Sequence, residues 1–234
     1  LRSLVGSEMC IRDRSSALKM RQNVGIADNN VNNTYRLVHG EGDYLPGLVI
    51  DCYGETAVMQ AHSVGMHVCR EEICRALIKV MGERIKHVYY KSETTLPFKA
   101  ELGQENGFMY GETDNDIAIE NGLKFHVDWL RGQKTGFFVD QRENRNLLEH
   151  YAKGKSVLNM FCYTGGFSVY AMRGQAKLVH SVEDSVDWFV LLHQRCKSEV
   201  GRFWFNMSKS FQSCSTREEL GDPEEVLGIK DRIL

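Results

Sequence analysis

The chain has 234 residues, 42% hydrophobic and 26% charged, with a formal charge of −2. That size suits one large domain or two small ones, and the balanced charge excludes a globally basic nucleic-acid coat while allowing a local basic patch. No apolar run approaches the length of a membrane span, and the start lacks the order of a secretory signal. The 7 cysteines, Cys10, Cys52, Cys69, Cys74, Cys162, Cys196 and Cys214, include no CxxC. They read as reduced thiols of a cytoplasmic protein rather than a disulfide framework.

Residues 1–14 (LRSLVGSEMCIRDR) show no useful periodicity and look like a translated sequencing adapter, so they are set apart from the fold. Residues 15–33 read as a linker or a domain remnant. Residues 34–66 read as β structure, with Leu48–Cys52 and Thr56–Gln60 forming a hairpin around Tyr53-Gly54-Glu55. Apolar spacing from His67 to Met81 predicts a helix that stops at Gly82. His87–Tyr90 is a predicted strand. Its Tyr89-Tyr90 pair, near Lys86 and Lys91, fits strand alternation better than base stacking. Asn121-Gly122 between Ile117–Glu120 and Leu123–Val127 predicts a second hairpin. Residues 34–131 thus form a small α+β unit.

The pattern then changes. Asp140–Tyr151 reads as a helix with Leu147 and Leu148 on its apolar side. Ser156–Phe161 reads as a buried strand, Phe167–Met172 as a helix, and Ala176–Val182 as another strand. This β-loop-α-β order opens a parallel sheet, so the fold class is α/β. Residues 132–185 form this second part, and the stretch 186–234 loses the strand-helix alternation.

Two stretches carry chemistry. In the first, Phe161-Cys162-Tyr163-Thr164-Gly165-Gly166, an apolar strand runs into a glycine turn and a helix. Glycines admit close backbone approach, and the helix N-terminus offers free N–H groups. Glu183, 18 residues beyond Gly165, stands where an acid can accept hydrogen bonds from a ribose, with Asp184 as its rival. GxGxxG is absent, so a cofactor with ribose and adenine but no phosphates, such as S-adenosylmethionine, fits better than a dinucleotide. The second stretch, Gly132–Arg145, is dense in glycine, aromatic and polar residues before a helix. Capping by Asp140 and Glu143 explains part of it, and a ligand-facing loop explains the rest. His62 and His67 lack a third partner, so no metal is expected.

Gln133–Arg145, Asn159–Ser168 and Tyr35–Asp51 together resemble the class I S-adenosylmethionine-dependent large-subunit rRNA cytosine-C5 methyltransferases, over roughly residues 30–185. The resemblance implies an RNA-binding PUA domain, a central α+β domain and a Rossmann-like domain holding S-adenosylmethionine, with 23S rRNA as partner. By matching motif it implies a cofactor pocket lined by Lys134, Thr135, Gly136, Phe138, Asp140, Gln141, Arg142, Phe161, Tyr163, Thr164, Gly165 and Gly166. Glu183 would replace the family's aspartate. The family's Asp-Pro-Pro motif is missing, and Asp222-Pro223-Glu224 lies in the anomalous stretch. None of Cys162, Cys196 and Cys214 has the context of the thiolate nucleophile that attacks the base. The chain therefore reads as a methyltransferase fragment, inactive as written, with a frameshift or chimeric join near Ser185. The alternatives are a non-catalytic RNA- or partner-binding module and a small-molecule methyltransferase.

Overall fold

The computed structural model describes residues 7–27, 29–96 and 105–182. It divides into two units, Leu1–Asp140 and Gln141–Leu234.

In the first unit, helix α1 (Ser7–Asn23) precedes strands β1 (Thr34–His39), β2 (Leu48–Tyr53) and β3 (Thr56–Ala61). Helices α2 (Val64–Val68) and α3 (Arg70–Met81) lead to β4 (His87–Tyr90) and β5 (Gly107–Tyr110). The sheet order is β1-β2-β3-β4-β5, with β3 and β4 parallel and the other pairs antiparallel. The parallel pair needs a crossover, which α2 and α3 supply. A separate hairpin pairs β6 (Ile117–Glu120) with β7 (Leu123–His126). Its turn has φ of +48° at Asn121 and +76° at Gly122, which is why Asn-Gly stands there. Asn33 fastens the hairpin, its Oδ1 accepting from the Ile119 N–H at 2.6 Å.

Period-two alternation gives β2 two different faces. Leu48, Ile50 and Cys52 enter an apolar core with Ala57 and Met59 of β3 and Ile73, Leu77 and Met81 of α3. Asp51 and Tyr53 fall on the opposite face, and both are fully buried. Burying some ten such side chains supplies about 1.5–3 kcal/mol each before entropy is charged.

Two local expectations change, and a third, that Tyr89-Tyr90 serve the strand rather than base stacking, agrees with the structure. Helix α1 begins inside the stretch set apart as non-native, Arg14 is buried, and Ala17 and Leu18 join the core. The single helix expected over 67–81 is two: Ser63 Oγ accepts from Met66 N–H at 3.3 Å to start α2, and Cys69, with ψ near 7°, breaks it from α3. Tyr89 and Tyr90 are buried, so neither ring offers a face to a base.

The second unit contains α4 (Arg142–Tyr151), β8 (Ser156–Met160), α5 (Gly166–Arg173) and β9 (Leu178–Val182), with β8 and β9 parallel. The face of α4 that packs is not the apolar one: Leu147 is 55% exposed while Arg142 and Arg145 are buried. Arg145 lies over the Phe167 ring at 5.9 Å, and Glu149 pairs with Arg173 at 2.6 Å. Guanidinium planes against aromatic rings thus replace leucines. Strand β8 is not buried throughout but alternates, with Leu158 and Met160 exposed. Among the described residues α5 covers the face holding Asn159, whose Nδ2 donates to Ser168 Oγ at 2.8 Å.

Candidate cofactor site

On the first unit the candidate residues lie on the loop that follows β7. Gly136 has φ +111°, and a Cβ there would meet Asp128 O at 2.9 Å and Trp129 Cα at 3.0 Å. Only glycine relieves both the backbone strain and the contact. Lys134 also sits in the left-handed region, at φ +49°. Thr135, Phe137 and Val139 are buried, while Lys134 and Asp140 are exposed and Phe138 is half-buried. Lys134 Nζ lies 5.7 Å from the Phe138 ring centre. The loop therefore turns alternate residues inward and keeps Lys134, Phe138 and Asp140 toward solvent.

A buried polar chain anchors it. Arg36 donates to Asp51 through Nε at 2.8 Å and Nη2 at 2.9 Å. Thr135 Oγ1 donates to Asp51 Oδ2 at 2.6 Å, Tyr53 OH lies 2.9 Å from Thr135 Oγ1, and Tyr53 OH donates to Phe137 O at 3.2 Å. The Asp51 hydrogen bonds raise the Arg36 pKa above its ordinary value, against the opposing effect of burial. Burial first, then the Asp51 charge, pushes Tyr53 well above an ordinary tyrosine, so it stays a neutral donor. Lys91 Nζ donates to Gly132 O at the loop's start. Burial, then the charge of Arg36, holds the His62 pKa down. The sequence signal for this anchor was a lone aspartate inside the apolar run Leu48–Tyr53. A buried charge in such a run requires partners.

On the second unit, β8 runs into Phe161–Gly165. Phe161, Tyr163 and Gly165 have positive φ of 55°, 50° and 73°, and non-glycine residues hold two of these strained places. Gly165 N-caps α5, and its own N–H is held by Cys162 O at 2.7 Å. Cys162 is buried and its N–H donates to Val182 O at 3.0 Å, tying the loop to β9. Phe161 is 77% exposed, Tyr163 half-buried and Thr164 buried. Beneath the helix start, Ser168 Oγ lies 2.6 Å from Ser181 Oγ. Gln141 is half-buried, its Oε1 accepting from Asn144 Nδ2 at 2.9 Å. The second unit thus gathers Phe161, Tyr163, Thr164, Gly165 and Gly166, and the first gathers Lys134, Thr135, Gly136, Phe138 and Asp140. Glu183, with Asp184, Cys196 and Cys214, lies outside the described residues.

A glycine turn at the carboxyl end of a parallel strand, opening a helix, is the ligand end of a Rossmann-like sheet. The chain belongs to the S-adenosylmethionine-dependent methyltransferase family, whose profile matches residues 103–227. Its cofactor class is therefore S-adenosylmethionine. The chain is similar to ribosomal RNA large subunit methyltransferase I of Tolumonas auensis, 44% identical over 154 residues, covering 64% of this chain and 38% of the relative. The same enzyme of Aeromonas hydrophila subsp. hydrophila is 44% identical over 199 residues, covering 82% and 50%. The chain spans half or less of these relatives' length. Among solved structures, a Streptococcus mutans protein assigned provisionally to the SAM-dependent methyltransferases superposes with a TM-score of 0.76 at 27% identity, covering 88% of this chain and 52% of that one. A second methyltransferase structure, complexed with SAH, gives 0.75 at 27% identity, with coverage of 88% and 52%.

Proposed function

We propose that this chain carries the cofactor-holding part of a large-subunit rRNA methyltransferase, cytoplasmic, whose target is C5 of a cytosine in 23S rRNA. The observation that carries it is the Phe161–Gly166 turn: three left-handed residues at the end of β8, leading into α5. A phosphate-free nucleoside ligand suits this turn, because the consecutive glycines Gly165 and Gly166 place no side chain at the start of α5. Tyr163, Thr164, Gly165 and Gly166 hold it, with Glu183 taking the ribose. Lys134, Phe138, Asp140, Gln141 and Arg142 are assigned to the cofactor by the motif resemblance. When bound, the cofactor supplies an electrophilic methyl group. This chain's residues bind and orient it and keep water from it.

As written, the chain binds without turning over. It contains no Asp-Pro-Pro, which the family uses to position the base. Among the described cysteines, burial pushes Cys52 up to about 12 and Cys74 up to about 11, the opposite of what a thiolate nucleophile needs; Cys196 and Cys214 lie outside the described residues. Equilibrium dialysis with labelled S-adenosylmethionine, followed by incubation with deproteinised large-subunit rRNA, tests both parts. The expected result is retained cofactor and unlabelled RNA. Label on C5 of a cytosine overturns the inactivity, and absence of retained cofactor overturns the site.

A further inference from the structure

The two ends of the β8–β9 pair differ in character. The glycine turn lies at the carboxyl end of β8. At the amino ends, the loops before β8 and β9 are laced together by backbone. Gly154 N–H donates to Gln175 O at 2.9 Å, and Lys177 N–H donates to Lys155 O at 2.8 Å. This lacing sets Lys155 and Lys177 side by side, one residue before the Ser156–Leu178 pair of the ladder. Lys153 precedes them, and all three lysines are exposed.

Neighbouring cations repel, and like charges set opposite each other on a sheet are destabilising. A nearby acid would offset the repulsion, but residues 150–182 contain no Asp or Glu. Glu149, just before them, is taken by Arg173 at 2.6 Å. Among the described residues no ammonium of the three lysines has an ion-pair or hydrogen-bond partner. Attraction to a helix carboxyl end explains Lys153, which follows α4, and Arg173, which ends α5. It does not explain Lys155 and Lys177, which stand at the starts of strands. Tyr151 adds a 66% exposed ring at the end of α4, edge-on to His150 with centroids 5.0 Å apart. A nucleic-acid strand uses both features: its phosphates take the ammonium groups, and a base takes the ring face. An acidic peptide would meet the lysines but has no use for the ring.

We propose that Tyr151, Lys153, Lys155 and Lys177 form a contact surface for single-stranded RNA, separate from the methyl-donor turn. This rests on the RNA-substrate reading above and adds where on the second unit the RNA backbone is held. Phe161, six residues on from Lys155, is roughly 20 Å away at a strand rise of about 3.3 Å per residue.

Fluorescence anisotropy of the full chain with a short fluorescein-labelled single-stranded RNA of mixed sequence, over a salt series, tests the surface. Each phosphate neutralised on a single strand contributes about −0.7 to the slope of log affinity against log salt, so two contribute about −1.4. Lys155→Gln with Lys177→Gln is expected to weaken binding about tenfold at low salt and to make the slope shallower by about 1.4. Lys155→Arg with Lys177→Arg keeps the charge and is expected to bind within about twofold of wild type. Tyr151→Leu is expected to lose affinity several-fold with the slope unchanged, because stacking releases no counterions. S-adenosylhomocysteine titration of the glutamine pair is expected to match wild type, and its melting temperature to equal or exceed wild type, since a repulsion is removed. If the glutamine pair does not fold, Lys177→Gln alone is read the same way, with a slope change of about 0.7. Unchanged RNA affinity and slope in these variants overturns the proposal. Displacement of the RNA by poly-L-glutamate as readily as by unlabelled RNA of equal charge also overturns it, and makes the patch a site for an acidic protein. A chain that binds S-adenosylhomocysteine but no RNA overturns this proposal alone. A chain that binds RNA through these lysines but no S-adenosylhomocysteine overturns only the cofactor reading.

Discussion

Gly136 is the residue on which the first loop turns. Its φ of +111° lies in the region that L side chains avoid, and an added methyl would meet the Asp128 carbonyl at 2.9 Å. Gly136→Ala is expected to cost about 1–3 kcal/mol of stability in the first unit, read as a lower urea midpoint with an unchanged slope. Full stability in Gly136→Ala would show that the loop relaxes freely. Asp51 shows how much a single residue says in advance. A lone carboxylate in Leu48–Tyr53 announces a buried partner, but not which one, since Arg36 and Thr135 are 15 and 84 positions away. Leu147 illustrates the converse. Its helical spacing suggested burial, yet Arg142 and Arg145 take the packed face. Long cationic side chains cover apolar surface with their stems, so a polarity pattern misassigns the face.

At the scale of elements, the end of α5 lies against α4 at its cap residue Gly174, where a Cβ would lie 2.3 Å from Glu149 O. Gly174→Ala is expected to separate the two helices and destabilise the second unit by about 1–3 kcal/mol; thermal unfolding of the variant measures it, and an unchanged midpoint would contradict the close packing. Helix α1 is fastened to the turn after β1 by Arg21 Nη2 on Asp43 Oδ2 at 2.7 Å. Burial would raise the Asp43 pKa, but the Arg21 pair and the His39 N–H at 2.6 Å outweigh it and hold the carboxyl below its ordinary value. A depressed folded pKa gives stability that is present above the unfolded value, about 3.9, and is lost as pH falls through the lower folded value. Asp43→Asn should therefore be less stable than wild type at pH 7, with the gap closing by about pH 2–3. A gap that persists at pH 2 would place its cause in packing rather than charge. The Asn121-Gly122 hairpin was legible because a two-residue turn of that hand demands positive φ twice. The break at Cys69 was not, because nothing in its side chain forbids a helix.

Across the whole molecule, the turns at Gly136 and Gly165 were legible in the sequence, since the backbone must turn where such glycines stand. The strand β2 anchor was hidden because it joins residues distant in the chain. The chain spans half or less of its relatives' length, and its cofactor reading is tested by binding. The most direct measurement is calorimetric titration of the full chain, and of Gly165→Val, with S-adenosylhomocysteine. Gly165 has φ +73° at the start of α5, where a branched residue is strained. The expected result is saturable one-site binding to the wild-type chain and none to Gly165→Val. No heat with the wild type at millimolar ligand, or equal affinity in the variant, would contradict the placement of the methyl donor at this turn.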